Sequence, residues 1–572
     1  MQLETKVVSS LTKIFPDEIK GERIKCGSAF NNEPFSFQIA FKNPVDYIKS
    51  VPFYIRVESD LNDSLISNYK VGYVPVLTAA YPGADDNFDR KTPGLYPDIL
   101  YKRTVNKPLY DRGFWEPHFF EEDETVNLVS LNNVWQSLWF TINEDGETVP
   151  AGLHNISVSF INANDNSEIA RESFELEIID KALKPQEVLY TSWFYLDCLA
   201  DIYKVEIFSK RHWEIIENFM RLAAKTGMNM VYLPAFTPAL DTPVGMERDT
   251  VQLVDITKNG DAYSFDFSLM KRYVELAFKC GFTHFEHCHL FTQWGARSAP
   301  KIMATVDGEY KRIFGWDTDS LAPEYAIFLK SYLKAFKKFA NENGIGNNIL
   351  FHISDEPSSK HIEYYQNAYN VIKDEIEGCM CGDALSSYKF FEDGTVKLPI
   401  VDVMSAHMPS FVENCENFWI YYTGYAVRNG RPNRLIATTG ARCRMMGTQM
   451  YYTGAKGFLH WGYNCYYGPQ SSKLFNPVQN PAGTYPAAGT SFMVYPNPNG
   501  EADMSLRMKV LNEAFLDNRA LRTLEDMIGK DKTKAFVRSH FGEVDYGVCP
   551  SNEQLYNFRM ELNKLVKMNL EK

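Results

Sequence analysis

The sequence predicts an α/β protein: a (β/α)8 barrel preceded by an antiparallel β-sandwich and followed by a short helical extension. Three observations carry this. Residues 1–183 hold short β-branched and aromatic runs divided by turn clusters. Residues 184–500 alternate strand-like and helix-like segments, with eight strands in all. Residues 501–572 open with a long amphipathic helical pattern.

In the N-terminal part, PFSFQIAF, PFYIRVESDL, YKVGYVPVLTAAY, SLWFTIN, HNISVSFI and SFELEIID read as strands, with NNE, NED and NAND between them as turns. Several alternate apolar and polar residues, as half-buried antiparallel strands do, and such a set suggests a sandwich. After DKALKPQEV the rhythm changes. Strands are expected at 188–195, 229–235, 283–290, 348–354, 379–384, 400–406, 417–422 and 456–462, with amphipathic helices at 205–226, 266–280, 322–343 and 359–376. A helix is expected over 501–526, and the remainder is expected to be helical and to pack on the barrel. No internal repeat interrupts this order.

Composition bounds the function. The 572 residues are 45% hydrophobic and 23% charged, as in globular proteins. No run approaches the ~20 apolar residues of a membrane span. A net charge of −13 argues against a nucleic-acid partner, which needs a basic face. The ten cysteines are scattered, without the paired CxxC motifs of a zinc ribbon. They fit a reduced, cytoplasmic protein, as does the absence of a signal-peptide pattern in MQLETKVVSSLTKIFPDE. Aromatic residues crowd 418–425 (FWIYYTGY) and 458–468 (FLHWGYNCYYG), either as core or as the walls of a cleft with flat apolar faces and polar tips.

The stretch FHISDEPSSK, residues 351–360, ends an apolar run in two adjacent carboxylates, Asp355 and Glu356, and a proline. On the barrel reading this is the C-terminal end of strand four, where barrel active sites sit. Neighbouring residues in a strand point to opposite faces, so the pair shares one pocket only if the chain leaves strand geometry there. Pro357 makes such a departure plausible. The competing reading is that Asp355 or Ser358 caps the next helix. If the pair is catalytic, two carboxylates suggest glycoside hydrolysis. Adjacent residues do not easily straddle a sugar ring as a nucleophile and an acid must. A Glu-Pro on strand four resembles the large clan of retaining barrel glycosidases, whose nucleophilic Glu ends strand seven. Here strand seven ends Trp419-Ile420-Tyr421-Tyr422-Thr423-Gly424, and Glu413 and Glu416 lie before it. The remaining option lets the substrate's 2-acetamido oxygen attack its own anomeric carbon. Asp355 then orients the amide and Glu356 serves as general acid and base.

HISDEP, GFLHWGYN (457–464), SFMVYPNPNGE (491–501) and SLRMKVLNEAFLDNRALRTLED (505–526) together resemble glycoside hydrolase family 123 and the related domain-of-unknown-function family numbered 4091. The resemblance implies an exo-acting, retaining β-N-acetylgalactosaminidase with substrate-assisted catalysis on terminal β-GalNAc of glycans or glycosphingolipids, with Asp355 and Glu356 as its acidic pair. The alternatives are a β-N-acetylglucosaminidase or other 2-acetamido hexosaminidase, and a non-catalytic carbohydrate-binding protein on the same scaffold.

Other polar and aromatic residues at the expected rim are candidate sugar contacts. Trp461, Tyr463 and Asn464 close strand eight; Tyr421 and Tyr422 end strand seven, only one of them facing inward; His407 follows strand six and Asp383 strand five. Trp294 is expected to cover the pocket, and Asp197 to hold a sugar hydroxyl after strand one. In HFEHCHL, His287 and His289 share a face at i, i+2, a chelating spacing. A third ligand is missing, so His289 is read as a sugar contact or core residue. No metal or cofactor is expected.

Overall fold

The computed structural model describes residues 2–44, 51–103 and 128–571. At its centre lie eight parallel strands: β1 (Leu189–Ser192), β2 (Met230–Leu233), β3 (His284–His287), β4 (Ile349–Phe351), β5 (Met380–Leu385), β6 (Leu398–Asp402), β7 (Trp419–Tyr421) and β8 (Gly457–His460). The hydrogen-bonded order is β1-β8-β7-β6-β5-β4-β3-β2, and every neighbouring pair is parallel. The seam between β1 and β2 is bridged by Asn229. Its Oδ1 accepts from the Tyr190 N–H at 2.8 Å and its Nδ2 donates to the Val188 carbonyl at 3.1 Å. Its own N–H reaches the Tyr190 carbonyl at 3.2 Å. The barrel is nearly closed.

Most of these strands are shorter than the apolar runs that predict them, because the chain turns into rim loops beyond the last ladder pair. β4 stops at Phe351 and β6 at Asp402. The surrounding helices follow their amphipathic patterns. Lys210–Lys225 is capped by Ser209, whose hydroxyl accepts from the His212 N–H, and buries Trp213, Ile216, Phe219 and Met220. Pro323–Glu342 starts with its proline in the first turn and buries Phe328, Tyr332 and Phe336. Side chains of this size contribute about 1.5–3 kcal/mol each when fully buried. Ser268–Cys280 and Ile362–Ile372 complete the set predicted in the barrel.

The N-terminal region forms two sheets. One has seven antiparallel strands. The other has five, and departs from the antiparallel expectation where Cys26–Phe30 runs parallel to Glu168–Ile179. A shared apolar cluster draws on both: Phe37 stacks on Phe174 at 4.5 Å, and Phe41 meets Phe53 edge-on at 5.1 Å. Two strands of the larger sheet, Val494–Pro496 and Ala502–Ser505, come from beyond the barrel. The helix expected from 501 therefore begins at Leu506, because Met504 and Ser505 pair with Leu100 and Ile99. Helices Lys530–Phe541 and Asn552–Leu570 follow.

A four-stranded sheet was not predicted: Asp255–Asn259, Ala262–Asp266, Ile302–Val306 and Glu309–Phe314, inserted after β2 and β3. Its second hairpin turns at Asp307-Gly308, φ 52° and 87°, an Asp-Gly signal visible in the sequence. Among the described residues no helix is long and apolar enough to cross a membrane.

Candidate active site

At the exit of β4 the backbone abandons strand geometry. Glu356 sits at φ 42° immediately before Pro357, a left-handed conformation that costs a non-glycine residue on the order of 1–3 kcal/mol. The reversal allows Asp355 and Glu356 to share one environment despite their adjacency. Helix capping is left to other residues: the Ser358 N–H donates to His361 Nδ1 at 3.4 Å as the chain enters the turn Ser359–His361.

Glu356 is exposed and accepts a hydrogen bond from the Tyr421 hydroxyl at 2.6 Å. Asp355 is half-buried. Burial and the adjacent Glu356 charge drive the Asp355 pKa well above the usual carboxylate range, against the opposing pull of His352. The loop after β3 is bolted to this exit. The Trp294 N–H donates to the Asp355 carbonyl at 2.8 Å, and the Gly295 and Ala296 N–H groups to Ser354 Oγ at 3.2 and 3.1 Å. Ser354 Oγ in turn donates to the Thr292 carbonyl at 2.9 Å. Residues 294–296 all have positive φ, and the Trp294 side chain stands 41% exposed on a loop fixed to the pair.

A third carboxylate joins them. Asp402 ends β6 and is the register partner of Tyr421. Burial and the nearby Glu356 charge push its pKa up to about 6, against hydrogen bonding from the Met404 N–H at 2.9 Å. The sequence reading missed it by extending the strand to 406, which placed Asp402 inside the strand rather than at its rim.

Beneath the pair lies a buried charge network that sequence reasoning also missed. His352 reaches Glu286 Oε1 through Nε2 at 2.9 Å and Asp383 Oδ1 through Nδ1 at 3.2 Å. Glu286 also accepts from Thr191 Oγ1 and from Trp193 Nε1. Asp383 also accepts from the Ile353 and Ser354 N–H groups and the Tyr365 hydroxyl. The clue was present: Glu286 lies inside barrel strand β3, and His352 directly follows the apolar run of β4.

Asp383 was expected at the rim. It is fully buried, with its oxygens committed to His352, Tyr365 and the β4 backbone, so it holds the strand exit rather than a sugar. Tyr421 and Tyr422 separate as strand alternation requires. Tyr421 faces Glu356, while Tyr422 is buried against Phe458 and His460 and has no sugar-facing position. Tyr463 is a core residue, stacked on Phe194 with its hydroxyl on the Phe219 carbonyl at 2.9 Å. Asn464 ties the loops after β1 and β8, through both amide atoms, to the Tyr195 backbone. Asp197 is buried in an ion pair with Arg248 at 2.6 Å. Trp461 is half-buried and packs on Tyr485. His407 is exposed at the start of helix Met408–Asn414, over Tyr388.

His287 and His289 do not share a face, because β3 ends at His287. His287 bonds the Tyr332 hydroxyl on the helix side at 2.8 Å, whereas His289 stacks on His352 at 4.5 Å. Ligand atoms of His289, His352 and Asp383 lie within 4.8 Å of one another. Their contacts do not suit a metal: each ring nitrogen of His352 is already engaged with a carboxylate oxygen, and Asp383 is saturated by N–H and O–H groups.

Residues 193–524 match the family model described as glycoside hydrolase 123, catalytic domain. In three dimensions the chain is similar to a family 123 glycoside hydrolase from Clostridium perfringens, solved in a study of glycolipid glycan hydrolysis. The TM-score is 0.71 at 14% identity, over 100% of this chain and 98% of that one. A Ruminococcus gnavus beta-glucuronidase aligns over 90% of this chain and 97% of that one, but at TM-score 0.29 and 8% identity, too distant to support an argument. No curated protein matches the chain.

Proposed function

The chain belongs to glycoside hydrolase family 123, and from that premise we propose that it is an exo-acting β-N-acetylgalactosaminidase that retains anomeric configuration through the substrate's own 2-acetamido group. The observation that carries this is the Asp355-Glu356 pair turned to one side by the left-handed Glu356, at a strand end where barrel enzymes do their chemistry. Residues 184–500 are taken as the catalytic unit, with 1–183 and 501–572 packed around it.

In the proposed reaction the adjacent acids share one proton, which sits on Glu356 once the amide N–H of the bound sugar holds Asp355 as the carboxylate, and Glu356 gives it to the glycosidic oxygen as the C1–O bond breaks. The acetamido carbonyl oxygen closes on C1 from the opposite face, forming an oxazolinium ion. The Asp355 carboxylate accepts the amide N–H and stabilises the positive charge. Water then attacks C1, Glu356 takes the water's proton, and the ring opens. Two inversions give net retention. Tyr421 aligns Glu356, and Trp294 offers an apolar face to the sugar. The link of the Clostridium perfringens neighbour to glycolipid glycans supports glycan or glycosphingolipid headgroups as the substrate class.

Asp402 supports one competing reading, in which it attacks C1 itself and forms a covalent glycosyl-enzyme. Nitrophenyl β-GalNAc, β-GlcNAc and β-galactoside separate the possibilities. Cleavage of the first alone is expected. Comparable cleavage of the galactoside would remove the acetamido mechanism, and equal cleavage of the two acetamido sugars would broaden the enzyme to a hexosaminidase. Binding of GalNAc without cleavage of any would make the protein a carbohydrate-binding one.

A further inference from the structure

The network under the active-site pair contains one cation among several acids. His352 lies between Glu286 on β3 and Asp383 on β5, and each ring nitrogen points at a carboxylate oxygen. A neutral imidazole has one N–H and one lone pair, so in this setting it would aim its lone pair at a carboxylate. Only the imidazolium satisfies both contacts. Burial by itself would lower the His352 pKa, but hydrogen bonds to Asp383 and Glu286 outweigh it and push the value up to about 10. The stacked ring of His289 is held neutral, well below the ordinary histidine range, by burial and then by the His352 charge.

This cation is placed to act on Asp355. It lies three residues before it on the same strand exit. The intervening Ile353 and Ser354 donate their N–H groups to Asp383, the carboxylate that also grips the ring. Other charged or titratable groups around Asp355 are Glu356, Asp383 and Glu286, which favour its protonation, and the phenols of Tyr232 and Tyr421. His352 is the group among them that favours the carboxylate.

We propose that His352 is a positioning residue, a fixed imidazolium clamped by Glu286 and Asp383, that keeps Asp355 ionised when a sugar covers it and fixes the strand exit from which both acids project. The proposal rests on the role given to Asp355 above. It explains why two further acids occupy a barrel interior that would be simpler to fill with aliphatic side chains: they hold the cation.

The signs of the two key substitutions are opposite. His352→Gln removes the influence that lowers the Asp355 pKa, so the acid limb of the pH–kcat profile, which reports the sugar-bound enzyme, moves to higher pH. Glu286→Gln removes one that raises it, while Asp383 alone still holds the His352 ring charged, so the limb moves to lower pH. Each shift is expected to be about one unit, with KM changed much less than kcat. Both variants are checked for native circular dichroism. A residue that merely fills space would lower activity without opposite displacements, so limbs that stay in place, or move the same way, overturn the proposal. A second measurement needs no turnover. In wild-type protein carrying 15N-labelled histidine, both ring nitrogens of His352 are expected to remain protonated at about pH 8; a neutral ring there overturns the proposal even if the variants do not fold. Because that readout is independent of substrate, it judges the clamp separately from the acetamido reading, which the nitrophenyl panel judges.

Discussion

The Tyr421 hydroxyl stands 2.6 Å from Glu356 Oε1, donated from β7 to the exit of β4 across a site that also holds Asp355 and Asp402. A hydrogen bond to a charged group is worth about 1.5–3 kcal/mol. Tyr421→Phe, which keeps the packing, should therefore lower kcat by roughly 10- to 100-fold with native thermal stability. Unchanged kcat would show that this contact does not align the acid.

The two acids should fail differently. Glu356→Gln is expected to reduce activity by about 100-fold or more on substrates with poor leaving groups, and far less on dinitrophenyl glycosides that depart without a proton. Asp355→Asn should reduce both by roughly 100- to 1,000-fold, because it removes charge stabilisation common to both. A leaving-group series on each variant checks this; parallel losses in the two variants would contradict the division of roles.

Asp402→Asn removes a charge beside Glu356 but, on the proposed mechanism, no nucleophile, so it should cost about tenfold in kcat/KM, the scale of one hydrogen bond, and less than Asp355→Asn. Added azide should not restore activity. Rescue by azide with formation of the α-glycosyl azide would identify Asp402 as an enzyme nucleophile.

The loop that carries Trp294 depends on Gly295, at φ 124°, where an added Cβ would meet the His361 ring at 2.7 Å. Gly295→Ala is expected to destabilise the protein by about 1–3 kcal/mol and to raise KM, as should Trp294→Ala without the stability loss. Denaturant unfolding and Michaelis kinetics test the pair; an unchanged KM for Trp294→Ala would remove the residue from sugar binding.

Stability away from the site is concentrated at Asp517, which is fully buried and accepts from Arg444 at 2.7 Å and from Arg559 at 3.0 Å. Asp517→Ala would leave two buried guanidinium groups with one partner fewer and should cost about 3–5 kcal/mol. The protein that remains folded should keep its kcat. A melting temperature equal to wild type would contradict this.

The sequence revealed the barrel strands because each is a compact apolar run, and periodicity reports burial directly. It revealed Asp355 and Glu356 because two adjacent acids at the end of such a run oppose its pattern. Rim assignments fared worse. Asp383, Tyr463 and Asn464 were placed by counting from strand ends, and a slip of one or two residues exchanges rim for core. A larger overshoot, from Asp402 to an expected strand end at 406, hid Asp402. Glu286 and His352 escaped because their meaning is pairwise: neither indicates an ion clamp until β3, β4 and β5 are side by side. The β-hairpin at Asp307-Gly308 was legible from its turn and was passed over because barrel alternation explained the flanking segments.

The central claim is that the substrate's amide oxygen is the nucleophile. Nitrophenyl β-glycosides bearing acetamido, fluoroacetamido, difluoroacetamido and trifluoroacetamido groups at C2 test it directly, since each fluorine makes that oxygen a poorer nucleophile while changing size little. The account predicts that log kcat/KM falls steeply and monotonically along the series. A flat series, with the trifluoro substrate cleaved as fast as the parent, would contradict it.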